Sequence, residues 1–266
     1  MTDIAESIES MEQLRVGWRA MTLDRNSAAD VRDLPGIAVR WADCGFAFWN
    51  CLTLTEVGAD AKLLRQRLGQ AGDIMRAKEH PGFLWIFEDL LGQDAREGLS
   101  AAADHAGLEY AFSGTAMAGD ILPLPDPVHP DLTFVRATSD EQLQAYADLN
   151  SRAYGMPLGA GRDGIGGSTL WKKEVHAYLG LRDGIPVTCA GTVEADGRLF
   201  VVLVATEPEW EHRGYGEAVT RKALHEGGRA TGLTRATLHA TAAGAPVYRR
   251  IGFNPSSPMS FYRLKG

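Results

Sequence analysis

Two glycines, Gly214 and Gly216, close the stretch Thr206-Glu-Pro-Glu-Trp-Glu-His-Arg-Gly-Tyr-Gly216. The apolar run Leu199-Phe-Val-Val-Leu-Val-Ala205 precedes it, and a helical pattern comes after it in which Tyr215, Val219 and Ala223 recur every fourth residue. A strand, a glycine-bearing turn and a helix in that order make a place for a pyrophosphate. The N–H groups of such a turn point inward, and those of the first helical turn have no partner inside the helix. Both are donors to an anion, and the helix dipole adds about half a positive charge. The candidate phosphate-binding residues are therefore Glu211, His212, Arg213, Gly214, Tyr215, Gly216 and Glu217, with His212 and Arg213 donating from the main chain.

The residues after the glycines narrow the ligand. A nucleotide-hydrolysing loop requires Gly-Lys-Ser/Thr, and here Gly216 precedes Glu217 and Ala218. A dinucleotide fold requires a third glycine, and Gly214-Tyr-Gly216 runs on to Val219 without one. A second motif, Gly159-Ala-Gly161-Arg-Asp-Gly164, matches Gly-x-Gly-x-x-Gly in form but comes after Met156-Pro157 instead of a strand. With Gly166 and Gly167 it reads as a mobile loop between two helices.

The turn and a second block together resemble the GCN5-related N-acetyltransferase superfamily. Glu211-His-Arg-Gly214-Tyr-Gly216 matches the glycines of its Arg/Gln-x-x-Gly-x-Gly/Ala signature and departs at the first position, where Glu211 stands. Leu238-His-Ala-Thr followed by Pro246-Val-Tyr-Arg-Arg-Ile-Gly-Phe253 is similar to the fifth strand and the Tyr-x-x-x-Gly-Phe after it. The resemblance covers Asp131 to Gly266 well and the first half faintly.

It implies an acyltransferase that moves an acetyl group from acetyl-CoA, its co-substrate, directly to an amine of a small molecule or peptide, with no metal. The implied roles fall on particular residues. A main-chain N–H on the strand at Val204, Ala205 and Thr206 would polarise the acyl carbonyl, and the Tyr248 phenol would protonate the departing thiolate. No cysteine lies near the motif in sequence, so no covalent acyl-enzyme is expected. The general base is left between Glu194 and His239, and the acceptor would lie under the segment from Tyr154 to Trp171. A carboxylate at Glu211 sits badly beside a phosphate unless it turns to solvent or to Arg213. It therefore keeps open a second reading, a non-catalytic acyl-CoA-binding regulatory module, and a third, an interaction scaffold.

The whole chain sets the bounds. At 266 residues it fits one large or two ordinary domains, and 45% apolar residues give it a sizeable core. A net charge of −7 without a basic block disfavours nucleic acid as a partner. Cys44, Cys51 and Cys189 show no metal or disulfide spacing and read as buried thiols. The start Met1-Thr-Asp-Ile-Ala-Glu is acidic and lacks the basic and apolar regions of a secretory signal. No run reaches the roughly 18 apolar residues of a membrane span. A cytoplasmic monomer or homodimer, with no membrane partner, is expected.

The elements that would hold these residues can be read from periodicity. Pro123-Leu-Pro-Asp-Pro-Val-His-Pro130 permits neither helix nor central strand, so it reads as a linker over 123–130. Downstream, Leu132 to Ala137 alternates like a strand, and Ser139 caps a helix running to Tyr154. Two strands joined at Asp183-Gly184 come next, then the Leu199 to Ala205 strand, the helix from Tyr215, a strand at Thr234 to His239, a short helix at Pro246 to Ile251, and a closing strand at Met259 to Leu264. This βαβββαβαβ order predicts an α/β domain over 131–266 with a mixed, twisted sheet flanked by helices. The first half, 1–122, reads as a degenerate copy, which makes two tandem acyl-CoA N-acyltransferase-like domains. At an offset of 125, Arg96, Leu99 and Gly107 align with Arg221, Leu224 and Gly232. In that alignment the turn of the first copy is Glu88 to Ala95, whose three acids would repel a pyrophosphate.

Overall fold

The computed structural model describes residues 4–266, so Met1, Thr2 and Asp3 of the acidic start lie outside the described residues. The chain divides into two compact units, and neither is a continuous stretch. Among the described residues, unit 1 holds 4–117, 239–242 and 255–266, and unit 2 holds 118–238 and 243–254.

Unit 1 begins with helix α1 (Ile4–Arg25), hairpin strands β1 (Asp30–Leu34) and β2 (Ile37–Trp41), and strand β3 (Asn50–Leu54). Helix α2 (Ala61–Arg76), strand β4 (Phe83–Phe87), helix α3 (Gln93–His105) and strand β5 (Leu108–Gly119) come next. Every residue of β2 and β3 is buried, as expected of strands covered on both faces. Leu64, Leu68, Ala71 and Met75 of α2 recur at helical spacing and meet Val39, Leu52, Leu84 and Ile86 in one core. Strands β3 and β4 are parallel, with Leu52 opposite Leu84, and α2 is their crossover.

Unit 2 carries strand β6 (Thr133–Arg136), helices α4 (Asp140–Ala153), α5 (Leu158–Ile165) and α6 (Thr169–Lys173), and strands β7 (Tyr178–Arg182), β8 (Ile185–Ala195) and β9 (Arg198–Thr206). Helix α7 (Tyr215–Thr231), strand β10 (Ala236–Ala240) and helix α8 (Ala245–Ile251) complete it, apart from the last two residues of β10, which belong to unit 1. Its strands run β10-β9-β8-β7-β6, antiparallel except for the parallel pair β9 and β10. The Ser139 hydroxyl accepts from the Gln142 N–H at 3.2 Å, and the Gln142 side chain accepts from the Ser139 N–H at 3.0 Å, which closes a capping box on α4. Asp183 and Gly184, at φ +50° and +80°, make the tight turn between β7 and β8 that the sequence predicts.

The last strand, β11 (Asn254–Leu264), lies in unit 1 from Pro255 onward, where it pairs antiparallel with β4. The compact units thus differ from a division at 123–130. The proline-rich segment belongs to unit 2 because its acceptors are used there: the Leu124 carbonyl lies 2.8 Å from His225 Nδ1, and Asp126 pairs with Lys222 at 2.8 Å. Prolines remove donors and leave acceptors.

Two further expectations are corrected. Gly159 to Gly164 is the body of α5 and not a loop, because glycine lets two helices approach closely. A Cβ on Gly161 would stand 2.8 Å from the Ala147 carbonyl of α4. The internal repeat exists, but at another offset. A β-α-β-α-β order with a parallel first pair occurs as β3-α2-β4-α3-β5 and again as β9-α7-β10-α8-β11. The counterpart of α7 is therefore α2, starting at Ala61 against Tyr215, and not the helix after Glu88. The turn of the first copy becomes Thr55 to Asp60.

Candidate functional site

Strand β9 is irregular where the sequence places its reactive edge. Cys189 pairs with Ala205 and Gly191 with Val202, so β9 uses one more residue than β8 between the two pairs. That bulge contains Leu203 at φ +47°, a left-handed conformation that a branched side chain adopts only under constraint. On the other edge, β10 is in register with β9 at Leu199–Ala236 and Phe200–Thr237. Among the described residues, no register joins β10 to the bulge or to Val204, Ala205 and Thr206.

The α4 side of the bulge is occupied by hydroxyls. Tyr146 Oη donates to the carbonyls of Leu203, at 2.9 Å, and Val202, at 3.3 Å. Tyr154 Oη donates to the Val204 carbonyl at 2.8 Å. Between the two tyrosines, Asn150 Nδ2 donates to the Cys189 sulfur at 3.3 Å. Residues 146, 150 and 154 fall on one helical face, the last at the C-cap of α4.

Beyond Thr206 the chain makes a short 3-10 turn at Pro208–Trp210 and then passes His212 at φ +60° and Gly214 at φ +80°. Two left-handed residues in so short a stretch give the kind of backbone in which successive N–H groups can turn to one side. Gly214 is the N-cap of α7, so the N–H groups of Tyr215, Gly216 and Glu217 open the helix. Glu211, His212 and Arg213 are exposed, and the Arg213 guanidinium lies 5.0 Å from the centre of the Trp210 ring. Tyr215 offers only its main chain, since its ring is buried with Leu132, Val187 and Ala218. The Glu217 carboxylate is engaged by Arg250 at 2.8 Å and Arg221 at 2.9 Å. Burial works to raise its pKa, but the hydrogen bonds from Arg250 and Arg221 outweigh it and hold the group below the ordinary carboxylate range.

Tyr248 is buried in α8 with its ring edge-on to Phe253. Burial pushes its phenol well above the usual tyrosine value, and Tyr154 and Cys189 stand near enough to oppose its ionisation further. Tyr248 therefore lies within electrostatic reach of Tyr154 and Cys189. Cys189 corrects an expectation: a cysteine does lie at the site. Burial pushes its thiol far up, which favours the neutral thiol over the nucleophilic thiolate. A signal for it was available in the sequence. Counting back along β8 from the Asp196–Gly197 turn places residue 189 opposite the end of β9.

Neither candidate base stands at the bulge. Glu194 is exposed and pairs with Leu199, at the hairpin end of β9. His239 lies in unit 1 between the rings of Trp85 and Phe87, 5.6 and 5.5 Å away, and burial lowers its pKa to about 3. Within the expected acceptor segment, Trp171 is buried against Tyr146. In unit 2, between α4, the start of β8 and the segment after β9, a cavity of about 360 Å³ is lined by Asp148, Arg152, Val187, Glu207 and Trp210.

No protein-family model matches the sequence, and no curated protein does. Solved structures do. A GCN5-related N-acetyltransferase from Kribbella flavida is 19% identical over 95% of both chains, with a TM-score of 0.68. One from Sphaerobacter thermophilus is 15% identical over 87% of this chain and 78% of its own, at 0.57. A tandem GNAT protein from the clavulanic acid biosynthesis pathway is 12% identical over 80% and 74%, at 0.52. At these identities the likeness is one of architecture: the chain has the fold of the GCN5-related N-acetyltransferases.

Proposed function

We propose that the protein is an acetyl-CoA-dependent N-acetyltransferase that transfers the acetyl group directly to an amine of a small molecule or peptide. The observation that carries the reading is the joining of two features on one strand. Strand β9 is bulged at Leu203, beyond the residues that pair with β10, and leads at its end into the His212 to Gly216 turn.

Acetyl-CoA would supply an activated acyl group and a thiolate leaving group. The main-chain N–H groups from His212 to Glu217 would hold its pyrophosphate. Arg213 would add positive charge at the rim, while Glu211 keeps to solvent. Val204, Ala205 and Thr206 would align the extended arm, and a bulge N–H would polarise the acyl carbonyl. Tyr248 would give its proton to the departing thiolate. Its raised pKa does not defeat this role, because the same apolar surroundings raise a thiol as well, as they do Cys189. A thiolate leaving into this cluster is a stronger base than one in water.

Unit 1 would hold no second cofactor. In its counterpart turn the Asp60 carboxylate already accepts from the Leu63 N–H at the start of α2, at 2.7 Å, and Glu56 stands alongside in an ion pair with Arg67. An anion would meet two negative charges and a capped helix.

A non-catalytic acyl-CoA-binding module, the reading that Glu211 keeps open, is what the test must separate from a transferase. The deciding experiment monitors free thiol while acetyl-CoA is offered with a panel of amines and amino acids. Amine-dependent thiol release supports the transferase. Calorimetric binding of acetyl-CoA with no release across the panel supports the binding module.

A further inference from the structure

The bulge in β9 poses a question the fold leaves open. Leu203 holds a left-handed conformation that its side chain disfavours, and a strand released from a neighbour on one edge has every opportunity to relax into a regular extended form. Such a residue stays put only where its surroundings over-determine it.

Those surroundings are two phenols and a thiol. The Leu203 carbonyl accepts from Tyr146 Oη at 2.9 Å and is approached by the Cys189 sulfur at 3.8 Å. The Val202 carbonyl shares the Tyr146 hydroxyl at 3.3 Å, and the Val204 carbonyl takes that of Tyr154. Three successive carbonyls are therefore held by side chains. In a trans peptide the C=O of one residue and the N–H of the next point in opposite directions. With the Val202 and Leu203 carbonyls drawn to Tyr146, the N–H groups of Leu203 and Val204 are turned away from it.

Tyr146 is itself fixed. Its ring is fully buried and packs against Trp171 at 5.1 Å, and its own carbonyl accepts from Asn150 Nδ2 at 3.0 Å. Burial also pushes its phenol well above the ordinary value, so the hydroxyl stays a donor at every pH the protein meets. Arg152, on the same helix, donates to Glu207 at 2.6 Å and ties down the end of β9.

From this geometry we infer that Tyr146 and Tyr154 are positioning residues: their hydroxyls set the β9 bulge from behind and so aim the Val204 N–H at the acyl carbonyl. The inference rests on the proposed transferase reading for the identity of that carbonyl. The clamp itself does not, and it can be read without any ligand.

The test uses the full-length chain with Tyr146→Phe and Tyr154→Phe, each of which removes one oxygen and keeps the ring. Amide hydrogen exchange of the peptide covering residues 200–207 is measured first, without cofactor. Exchange there should rise at least about tenfold in Tyr146→Phe and less in Tyr154→Phe, with α7 unchanged. The second readout is turnover against an amine that the wild type acetylates. We expect kcat to fall about tenfold with KM for acetyl-CoA within about threefold, because the pyrophosphate turn is untouched. Wild-type exchange at 200–207 in both variants would overturn the clamp. A lowered melting temperature with unchanged kcat would make the tyrosines structural only and overturn the aiming role. Failure of the function reading looks different: the wild type itself would bind no acetyl-CoA and release no thiol, whatever the exchange data show. Should Tyr146→Phe not fold, Tyr154→Phe, at a partly exposed helix end, carries both readouts.

Discussion

Thr206 and Gly216 close on each other across the turn between β9 and α7: a Cβ added to Gly216 would stand 3.2 Å from Thr206 Oγ1. The strand end and the helix start are thus close, and a side chain at 216 would require the Thr206 hydroxyl to give by a few tenths of an ångström. Gly214, two residues earlier, is fixed for another reason. Its φ of +80° sits in the left-handed region, and a Cβ there would meet only His129 Nε2, at an ordinary contact distance of 3.9 Å.

Gly214→Asp is expected to fold and to lose acetyl-CoA. Aspartate tolerates a left-handed backbone and caps helices, so stability should change little. Its carboxylate would take the N–H groups meant for phosphate. Affinity should fall by at least about a hundredfold, or about 2.7 kcal/mol. Isothermal titration beside a melting curve checks both halves, and unchanged affinity in a folded variant would move the phosphate site elsewhere.

A titration of the wild type should give about one acetyl-CoA per chain. Asp60 caps α2 with its own carboxylate, whereas the N-cap of α7 is Gly214, which has no side chain to offer. Two equivalent sites, or residual binding in Gly214→Asp at the wild-type affinity, would contradict the assignment to α7.

Tyr248→Phe should leave acetyl-CoA binding nearly intact and lower kcat on the order of a hundredfold, the scale of losing a general acid. Phe keeps the edge-on packing against Phe253 and removes only the proton. The loss should appear in kcat and not in KM. Wild-type turnover under conditions where chemistry is rate-limiting would return the residue to the core.

His239 should make the protein acid-sensitive. Its folded pKa, about 3, lies below the ordinary histidine value near 6.5, so between those limits the unfolded chain takes up a proton that the folded one refuses. Stability from this group is full above about pH 6.5 and declines as pH falls toward 3, by up to about 1.4 kcal/mol per pH unit. Urea midpoints at pH 7, 6 and 5 should drop less steeply for His239→Phe than for the wild type. Equal slopes would show that His239 takes up its proton alike in the folded and unfolded states.

Local chemistry was legible and long-range pairing was not. Asp183-Gly184 and the Ser139–Gln142 box are written in adjacent residues, and both stand where their turn and cap chemistry put them. The glycines at 214 and 216 announced their turn for the same reason. Gly161 misled because a glycine that allows close helix packing looks, in sequence, like one that breaks a helix. The repeat was misaligned because β3, Asn-Cys-Leu-Thr-Leu, has too few apolar residues to stand out, while β4, Phe-Leu-Trp-Ile-Phe, does. Nothing local to Leu203 signals a bulge. Its carbonyl and that of Val204 are held by hydroxyls arriving from Tyr146 and Tyr154, 57 and 50 positions away in sequence.

The placement of β11 bears on how the molecule is made. Met259, Ser260, Phe261 and Tyr262 lie against β4, whose own residues leave the ribosome some 170 positions earlier, as the pairing of Met259 with Phe87 records. Domains ordinarily fold from the N-terminus as synthesis proceeds. Here unit 1 must wait with an unfilled edge on β4 until Leu264 has emerged, by which time every residue of unit 2 has been made. The half that comes first in the chain is finished last.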